Sequence, residues 1–217
     1  MKRRTLPAAA ALAAAAALLL TACGGGDDSS KANDKIAGAD EGSSASASPS
    51  SSASTSSDRP QIEVPAGDTL TFDPEQVGDP SKDAILKDNA ELIRAIDAAI
   101  GAQDPRLPAL EYYTEGEGAV TAQQWVKSFV DAGLTVTGTV RYFDRQVTVE
   151  SKNKASLTYC GDESKGYNKV IKTGEVKKTK VTKNSYVSYG VQVEKNSNGV
   201  WEMVKIVSAR GADRCQP

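Results

Sequence analysis

Few side chains in this 217-residue chain are suited to catalysis, and histidine is absent. That absence excludes Ser-His-Asp and Cys-His catalysis, His-ligated zinc and switches based on imidazole titration. The remaining candidates are acids that a dry pocket would tune for proton transfer, and the best placed are Asp144 and Glu150, with Tyr142 beside them. The competing interpretation places both acids in solvent near a bend and Tyr142 in the core. We favour it and predict no catalytic residue, no metal site and no cofactor.

A lysine-rich segment is the second group with chemical potential. Residues 165–183 contain seven lysines and one acid, Glu175, and Gly174 suggests a hairpin tip. Such a surface suits anionic neighbours, either lipid headgroups or phosphate-bearing wall polymers. The alternative is a solvated hairpin whose lysines protect an exposed sheet edge. We expect no nucleic-acid partner. The lysines proposed for anionic contact are Lys169, Lys172, Lys177, Lys178 and Lys180.

The first residues are similar to a bacterial lipoprotein signal. Lys2, Arg3 and Arg4 precede an uncharged Ala/Leu stretch at 8–20, which ends in Leu-Thr-Ala-Cys at 20–23. We therefore expect a signal peptide at 1–22 and an acylated Cys23 that anchors the protein on the extracytoplasmic face of the cell membrane. The alternative is an ordinary secretory signal with an incidental cysteine. The export route, general secretory or twin-arginine, is left open.

The next segment, 23–59, is rich in Ser, Gly and Ala and has almost no large apolar residue. It cannot bury enough surface to order itself, so we expect a disordered tether. If Cys23 carries lipid, Cys160 and Cys215 remain as one pair in an oxidising compartment. We predict a disulfide between them, and the alternative is two free thiols.

Helical patterns come first in the remaining part, 60–217. Asp79 is a plausible N-cap with Pro80 at the first helical position, and Gly101 is the expected stop. Thr121 is expected to cap a second helix, which Gly133 ends. The first helix carries one apolar stripe, formed by Ile85, Leu86, Leu92, Ile93, Ile96 and Ile100.

Strand patterns follow from Leu134 onward. The parity of apolar residues changes between Phe143 and Arg145, which predicts a bulge or bend in one long strand. Three further alternating or apolar runs follow, around 155–160, 187–193 and 200–207. The apolar positions at 62–72 are expected to form an extended arm rather than a full strand. Helices followed by antiparallel strands indicate the α+β class.

Several short motifs lie in order along 60–217: DPRLP at 104–108, YTEG at 113–116, GLTVTG at 133–138, CGD at 160–162, Trp201 and Cys215. Together with the order of elements they resemble the NTF2-like superfamily, and more specifically the secreted NTF2-like lipoproteins of actinobacteria. The resemblance implies a cone in which N-terminal helices pack against a curved antiparallel sheet of about four to five strands. Such cones often hold a ligand cavity, whose possible lining here is Tyr142, Tyr189, Trp125 and Phe129. The alternative, which we favour, is that the aromatic residues fill the core.

Most members of this family have no assigned activity, so the resemblance implies fold and location more than chemistry. We expect a lipid-anchored, non-catalytic domain that binds an envelope protein, a cell-wall component or a small ligand. Some NTF2-like proteins are isomerases or cyclases, and a pocket enzyme of that type is the first alternative. A structural component of the envelope is the second.

Overall fold

The structure, a computed structural model, describes residues 59–217. The expectations for the signal peptide, for Cys23 and for the tether up to residue 58 lie outside the described residues. The helices are α1 (Pro80–Ala102), α2 (Pro108–Tyr112) and α3 (Gly116–Ala132). The strands are β1 (Asp68–Phe72), β2 (Leu134–Val149), β3 (Lys154–Val170), β4 (Val176–Lys177), β5 (Tyr186–Lys195) and β6 (Trp201–Arg210).

Helix α1 begins where the sequence predicts and ends slightly later. The Asp79 side chain accepts hydrogen bonds from the backbone N–H groups of Ser81 and Lys82 at 2.9 and 3.0 Å, which satisfies two donors of the first turn. The predicted stop at Gly101 is wrong, because the helix continues to Ala102 and Gln103 adopts the left-handed cap. Gly101 instead makes room for the preceding arm, since a Cβ there would lie 2.7 Å from Pro65 Cγ.

Helix α3 begins five residues before the predicted cap at Thr121. Thr121 lies inside the helix and donates its hydroxyl to the carbonyl of Glu117. The start is fixed by contact with β6, where Glu115 N–H donates to Met203 O at 3.0 Å. A tertiary contact thus overrides the local capping signal. The predicted end is confirmed, with Gly133 in the left-handed conformation at φ 64°.

The sheet has the order β1-β2-β3-β5-β6, with the short β4 paired to β3. All pairs among β2 to β6 are antiparallel. The α+β class is confirmed, with N-terminal helices packed against a curved, mainly antiparallel sheet, the arrangement expected of an NTF2-like cone. The arm prediction was wrong for 68–72, because β1 pairs in parallel with β2, from Asp68 opposite Gly138 to Phe72 opposite Tyr142.

The bulge predicted in β2 is confirmed by a register shift between Phe143 and Gln146. It turns Arg145 inward, where the side chain is only 3% exposed. The guanidinium donates to Pro74 O at 3.0 Å, to Leu86 O at 2.6 Å and to Asn89 Oδ1 at 3.1 Å. A buried cation therefore joins α1 to the sheet through neutral oxygen acceptors.

A disulfide joins Cys160 on β3 to Cys215 in the turn after β6, as the sequence analysis predicts. The two Cα atoms are 5.5 Å apart, and both residues are buried. The bond closes a loop of 55 residues in sequence separation. It ties the C-terminal turn to the centre of the sheet.

Candidate ligand cavity between the helices and the sheet

A cavity of about 410 Å³ lies between helices α1 and α3 and the facing side of the sheet. Side chains from both helices and from β1, β2, β3, β5 and β6 line it. Its walls are mainly apolar, with polar side chains from both layers among them. The apolar part of the lining includes Ile93, Ile96, Ile100, Ala122, Val136, Val140, Val187, Met203, Ile206 and Val207.

The four residues expected to line a pocket all lie on this cavity: Tyr142, Tyr189, Trp125 and Phe129. Trp125 is 49% exposed and Val207 is 61% exposed, so these two mark its mouth. Trp125 packs edge-on against Phe129, with ring centroids 5.3 Å apart. An exposed tryptophan over an aromatic neighbour leaves an apolar rim that an entering molecule would cover.

A block of aromatic rings holds the inner wall in place. The Tyr142 ring stacks on Phe72 at 5.4 Å between centroids and meets Tyr159 edge-on at 5.9 Å. Tyr159 in turn stacks on Tyr189 at 5.0 Å. Burial raises the pKa of Tyr142 and of Tyr189 well above the ordinary value, and raises the pKa of Tyr159 to about 12. All three hydroxyls are therefore neutral at physiological pH.

Two carboxyl groups, Asp68 and Asp97, form the polar end of the cavity. Asp68 is the first residue of β1, and Asp97 lies on α1 between Ile96 and the buried Ala98. The two side chains lie within hydrogen-bonding reach of each other, and a hydrogen bond between them requires a proton on one of the two carboxyl groups. Burial raises the pKa of Asp97 well above its ordinary value, and the charge of Asp68 raises it further.

Asp68 is the second member of this pair. Burial also raises its pKa, whereas the interaction with Asp97 opposes that rise. Asp68 Oδ2 is buried and accepts no hydrogen bond from any N–H or hydroxyl group of the described residues. Because the pKa of Asp97 is raised more strongly than that of Asp68, Asp97 is the member that favours the protonated form.

A third acid, Glu163 on β3, is already paired. It accepts a hydrogen bond from the Tyr189 hydroxyl at 2.9 Å and one from Arg210 Nη1 at 2.7 Å. Arg210 also donates to the backbone carbonyl of Asn184 at 3.2 Å. Arg210 is the one basic residue on the cavity lining. The positive charge of Arg210 is therefore paired with Glu163 and does not offset negative charge on Asp68 and Asp97.

The acids singled out from the sequence do not line the cavity. Asp144 sits in the bulge of β2, exposed, and accepts a hydrogen bond from Gln146 at 2.7 Å. Glu150 follows the end of β2 and is also exposed. The carboxyls that do reach the cavity come from α1 and β1, and the sequence analysis missed them. One signal was available, because Asp97 lies four residues after Ile93 and three before Ile100, beside the apolar stripe of the helix.

The lysine-rich segment runs from the end of β3 through the following turn and β4 to residue 183, and its first part reaches the cavity at Gly166, Tyr167 and Asn168. The five lysines proposed for anionic contact do not line the cavity. Lys172, Lys177, Lys178 and Lys180 are exposed, and Lys169 is half-buried beside a separate surface hollow of about 670 Å³. None of these five lysines forms an ion pair with another described residue. Three exposed apolar side chains stand among them: Ile171, Val176 and Val181.

No helix within residues 59–217 combines the length and the apolar character needed to cross a membrane. The same range contains no group of three or more acidic or cysteine side chains arranged to hold a metal ion.

No protein-family model matches the chain. No curated protein matches it either. Among solved structures, a ketosteroid isomerase-like protein from Erwinia carotovora atroseptica is 14% identical, with a TM-score of 0.40, over 58% of this chain and 93% of that one. The intermembrane space region of chloroplast protein ARC6 is 12% identical, with a TM-score of 0.43, over 62% and 99%. Because both TM-scores are below 0.5, we draw nothing about chemistry or ligands from them.

Proposed function

We propose that this protein is a lipid-anchored extracytoplasmic lipoprotein whose C-terminal domain binds a small, largely apolar molecule without converting it. The observation that carries the binding function is the cavity of about 410 Å³. Its volume falls within the range of roughly 300–1,000 Å³ that is typical of small-molecule sites. Its lining, apolar and aromatic with a few convergent polar groups, is also typical of such sites.

The mouth of the cavity allows a direct test with a matched control. Val207→Trp places a large ring at the mouth, where Val207 is 61% exposed and there is room for it without overpacking the core. Val120→Trp places the same ring on α3, at a residue that is 52% exposed and does not line the cavity. We expect the neutral dye Nile red to bind the unmodified protein saturably, with a blue-shifted emission.

Val207→Trp should weaken dye binding at least tenfold, whereas Val120→Trp should leave it unchanged. Fluorescence titration of the three proteins measures this directly. Equal affinities in all three would show that the dye binds elsewhere, and an absence of saturable binding would overturn the proposed function.

The anchor is proposed from the sequence motif at 20–23. A thioether-linked diacyl group on Cys23 would hold the protein on the membrane firmly, because two or more acyl chains give stable anchoring. Cys23→Ser removes the sulfur that carries the lipid. We expect the variant to leave the membrane fraction in alkaline carbonate washes that retain the unmodified protein, and equal retention would contradict the anchor.

A proton-transfer enzyme is the second candidate, and one observation favours it. Asp68 and Asp97 both line a largely apolar cavity, and burial raises the pKa of each carboxyl group. Carboxyl pairs of this kind can serve as base and acid, because their pKa values are driven apart. Deuterium exchange into 2-tetralone in D₂O measures this activity. Exchange above the buffer rate that is lost in both Asp97→Asn and Asp68→Asn would favour the enzyme over the binding protein.

A further inference from the structure

The charges on the cavity lining do not balance. Three carboxyl groups line it, from Asp68, Asp97 and Glu163, against the single guanidinium of Arg210. Arg210 and Glu163 form an ion pair at 2.7 Å and cancel each other. The carboxyl groups of Asp68 and Asp97 therefore have no counter-cation among the described residues of the lining. A partly buried charge without a counter-charge is unfavourable.

This charge excludes one class of ligand and disfavours another. An anionic ligand would meet no available cation on the lining and would be repelled by the aspartate pair. A neutral ligand would displace water from the pair and leave its charge less well solvated than before. A cationic ligand supplies the missing charge, and only this class improves the electrostatics of the cavity.

The aromatic walls favour the same class. Five aromatic residues line the cavity together with the acids: Tyr142, Tyr167, Tyr189, Trp125 and Phe129. Aromatic faces attract ammonium groups, by about 0.5–1 kcal/mol at exposed sites and about 2 kcal/mol or more where water is excluded. Several aromatic rings around one cation are the recurring composition of sites for quaternary ammonium ligands.

We propose that the ligand of this cavity is a largely apolar molecule bearing one ammonium group, which binds at the Asp68–Asp97 pair against the aromatic wall. This inference rests on the proposed binding function and narrows it to one ligand class. Binding displaces the shared proton from Asp97 to solvent, so that two carboxylates face the cation. No covalent bond forms or breaks except the O–H bond of that carboxyl group.

The proton release makes ligand affinity depend on pH. The groups facing Asp97 are Asp68 from β1, Tyr142 from β2 and Glu163 from β3, with Tyr189 and Arg210 bonded to Glu163 from β5 and β6. Both tyrosine hydroxyls stay neutral at mildly acidic and neutral pH, because burial raises the pKa of each well above 10.0, and Glu163 forms an ion pair with Arg210. Affinity for a cation should therefore rise with pH as the aspartate pair loses its proton, up to tenfold per pH unit.

The experiment compares two probes of the same shape and different charge. Benzyltrimethylammonium carries a permanent positive charge, and neopentylbenzene is its neutral carbon isostere. Displacement of Nile red from the full chain measures both, at pH 5.5 and pH 7.5. We expect the cation to displace the dye at a concentration at least tenfold lower than the isostere at pH 7.5, with a smaller preference at pH 5.5.

Substitutions test whether the preference for the cation over the neutral isostere arises at the Asp68–Asp97 pair. The double variant Asp68→Asn/Asp97→Asn should lose the preference while still binding Nile red, since the amides keep the shape of the acids. Asp131→Asn removes an acid on α3 that is 60% exposed and paired with Lys127, and it should keep the preference. The pH dependence in the unmodified protein tests the inference independently of how any variant folds.

Each outcome separates the two proposals. If the isostere competes as well as the cation, or the preference persists in the double variant, the ammonium assignment is overturned while the binding function stands. If affinity for the cation does not rise with pH, the proton-release step is overturned together with the site at the aspartate pair. If neither probe competes and Nile red itself does not bind saturably, both proposals fail.

Discussion

The shared proton of Asp68 and Asp97 should make the stability of the empty protein fall as pH rises. Burial raises the pKa of Asp97 above the ordinary value of 3.8, so between the two values the native state binds a proton that the unfolded state has lost. The stabilisation is fully present below pH 3.8 and is lost as pH rises through the native pKa of Asp97. One such proton lowers the free energy of unfolding by at most about 1.4 kcal/mol per pH unit.

Asp97→Asn should remove this dependence. The amide has no proton to lose, and it can still donate to Asp68. Urea unfolding at half-unit steps from pH 4.5 to pH 7.5 gives the free energy of unfolding for the unmodified protein and the variant. We expect the difference between them to grow with pH in favour of the variant, so that Asp97→Asn is the more stable protein at pH 7.5.

The difference between the two proteins is the decisive quantity, because other groups also titrate. Burial raises the pKa of Glu202 as well, and its contribution has the same sign in both proteins. Asp131→Asn, at an exposed ion pair on α3, serves as the matched control and should follow the unmodified protein. Parallel pH curves for Asp97→Asn and the unmodified protein would refute a proton shared at the cavity wall.

Three further predictions concern stability and the lysine-rich segment. Replacing Cys160 and Cys215 by alanine should lower the free energy of unfolding by about 4 kcal/mol, since the bond closes a 55-residue loop in the unfolded chain. Arg145→Met should cost about 2–4 kcal/mol, because it removes the hydrogen bonds that the buried guanidinium donates to Pro74 O, Leu86 O and Asn89 Oδ1; urea unfolding measures both. Lys177→Glu combined with Lys178→Glu should reduce cosedimentation of the Cys23→Ser protein with phosphatidylglycerol vesicles, and more so at low salt.

The last two of these predictions have a control in the same chain. Arg94→Met removes a half-exposed arginine that also stacks on Phe72 and should cost about 1 kcal/mol or less. An equal cost for Arg145→Met would contradict a special role for the buried cation. Lys87→Glu with Lys152→Glu makes the same charge change at exposed lysines elsewhere. If this pair reduces vesicle binding as much, net charge rather than the lysine-rich segment is responsible.

Features that depend on neighbouring residues could be predicted from the sequence. The Asp79 cap, the left-handed Gly133 and the bulge after Phe143 each have a local physical cause, and the structure contains all three. The start of α3 could not be predicted, because a backbone contact with Met203 fixes it from about 90 residues away in sequence. Thr121 has the local sequence of a helix cap, but the tertiary contact that fixes the start of α3 is made by Glu115.

The candidate site also combines features that could be predicted from the sequence with features that could not. The sequence offered Tyr142, Tyr189, Trp125 and Phe129 as possible pocket lining, but an aromatic pattern alone does not distinguish a cavity wall from a filled core. The acidic part was missed because it depends on β1, a five-residue strand that pairs in parallel with residues 70 positions later. Only that pairing brings Asp68 beside Asp97. Without the pairing of β1 with β2, nothing in the sequence distinguishes Asp97 from other acids on a helix or Asp68 from other residues near a turn.

The position of the disulfide determines how the domain responds to mechanical load. Force applied between the two ends of the domain would reach Cys160 and pass through the sulfur bridge to Cys215, whose Cα is 5.5 Å away. The 55-residue segment between them would bear no tension, so about 190 Å of its contour length, at roughly 3.5 Å per residue, would not be extended by the force. Strands β5 and β6 lie inside that segment, so the part of the cavity wall that carries Tyr189 and Arg210 would be shielded from the pull.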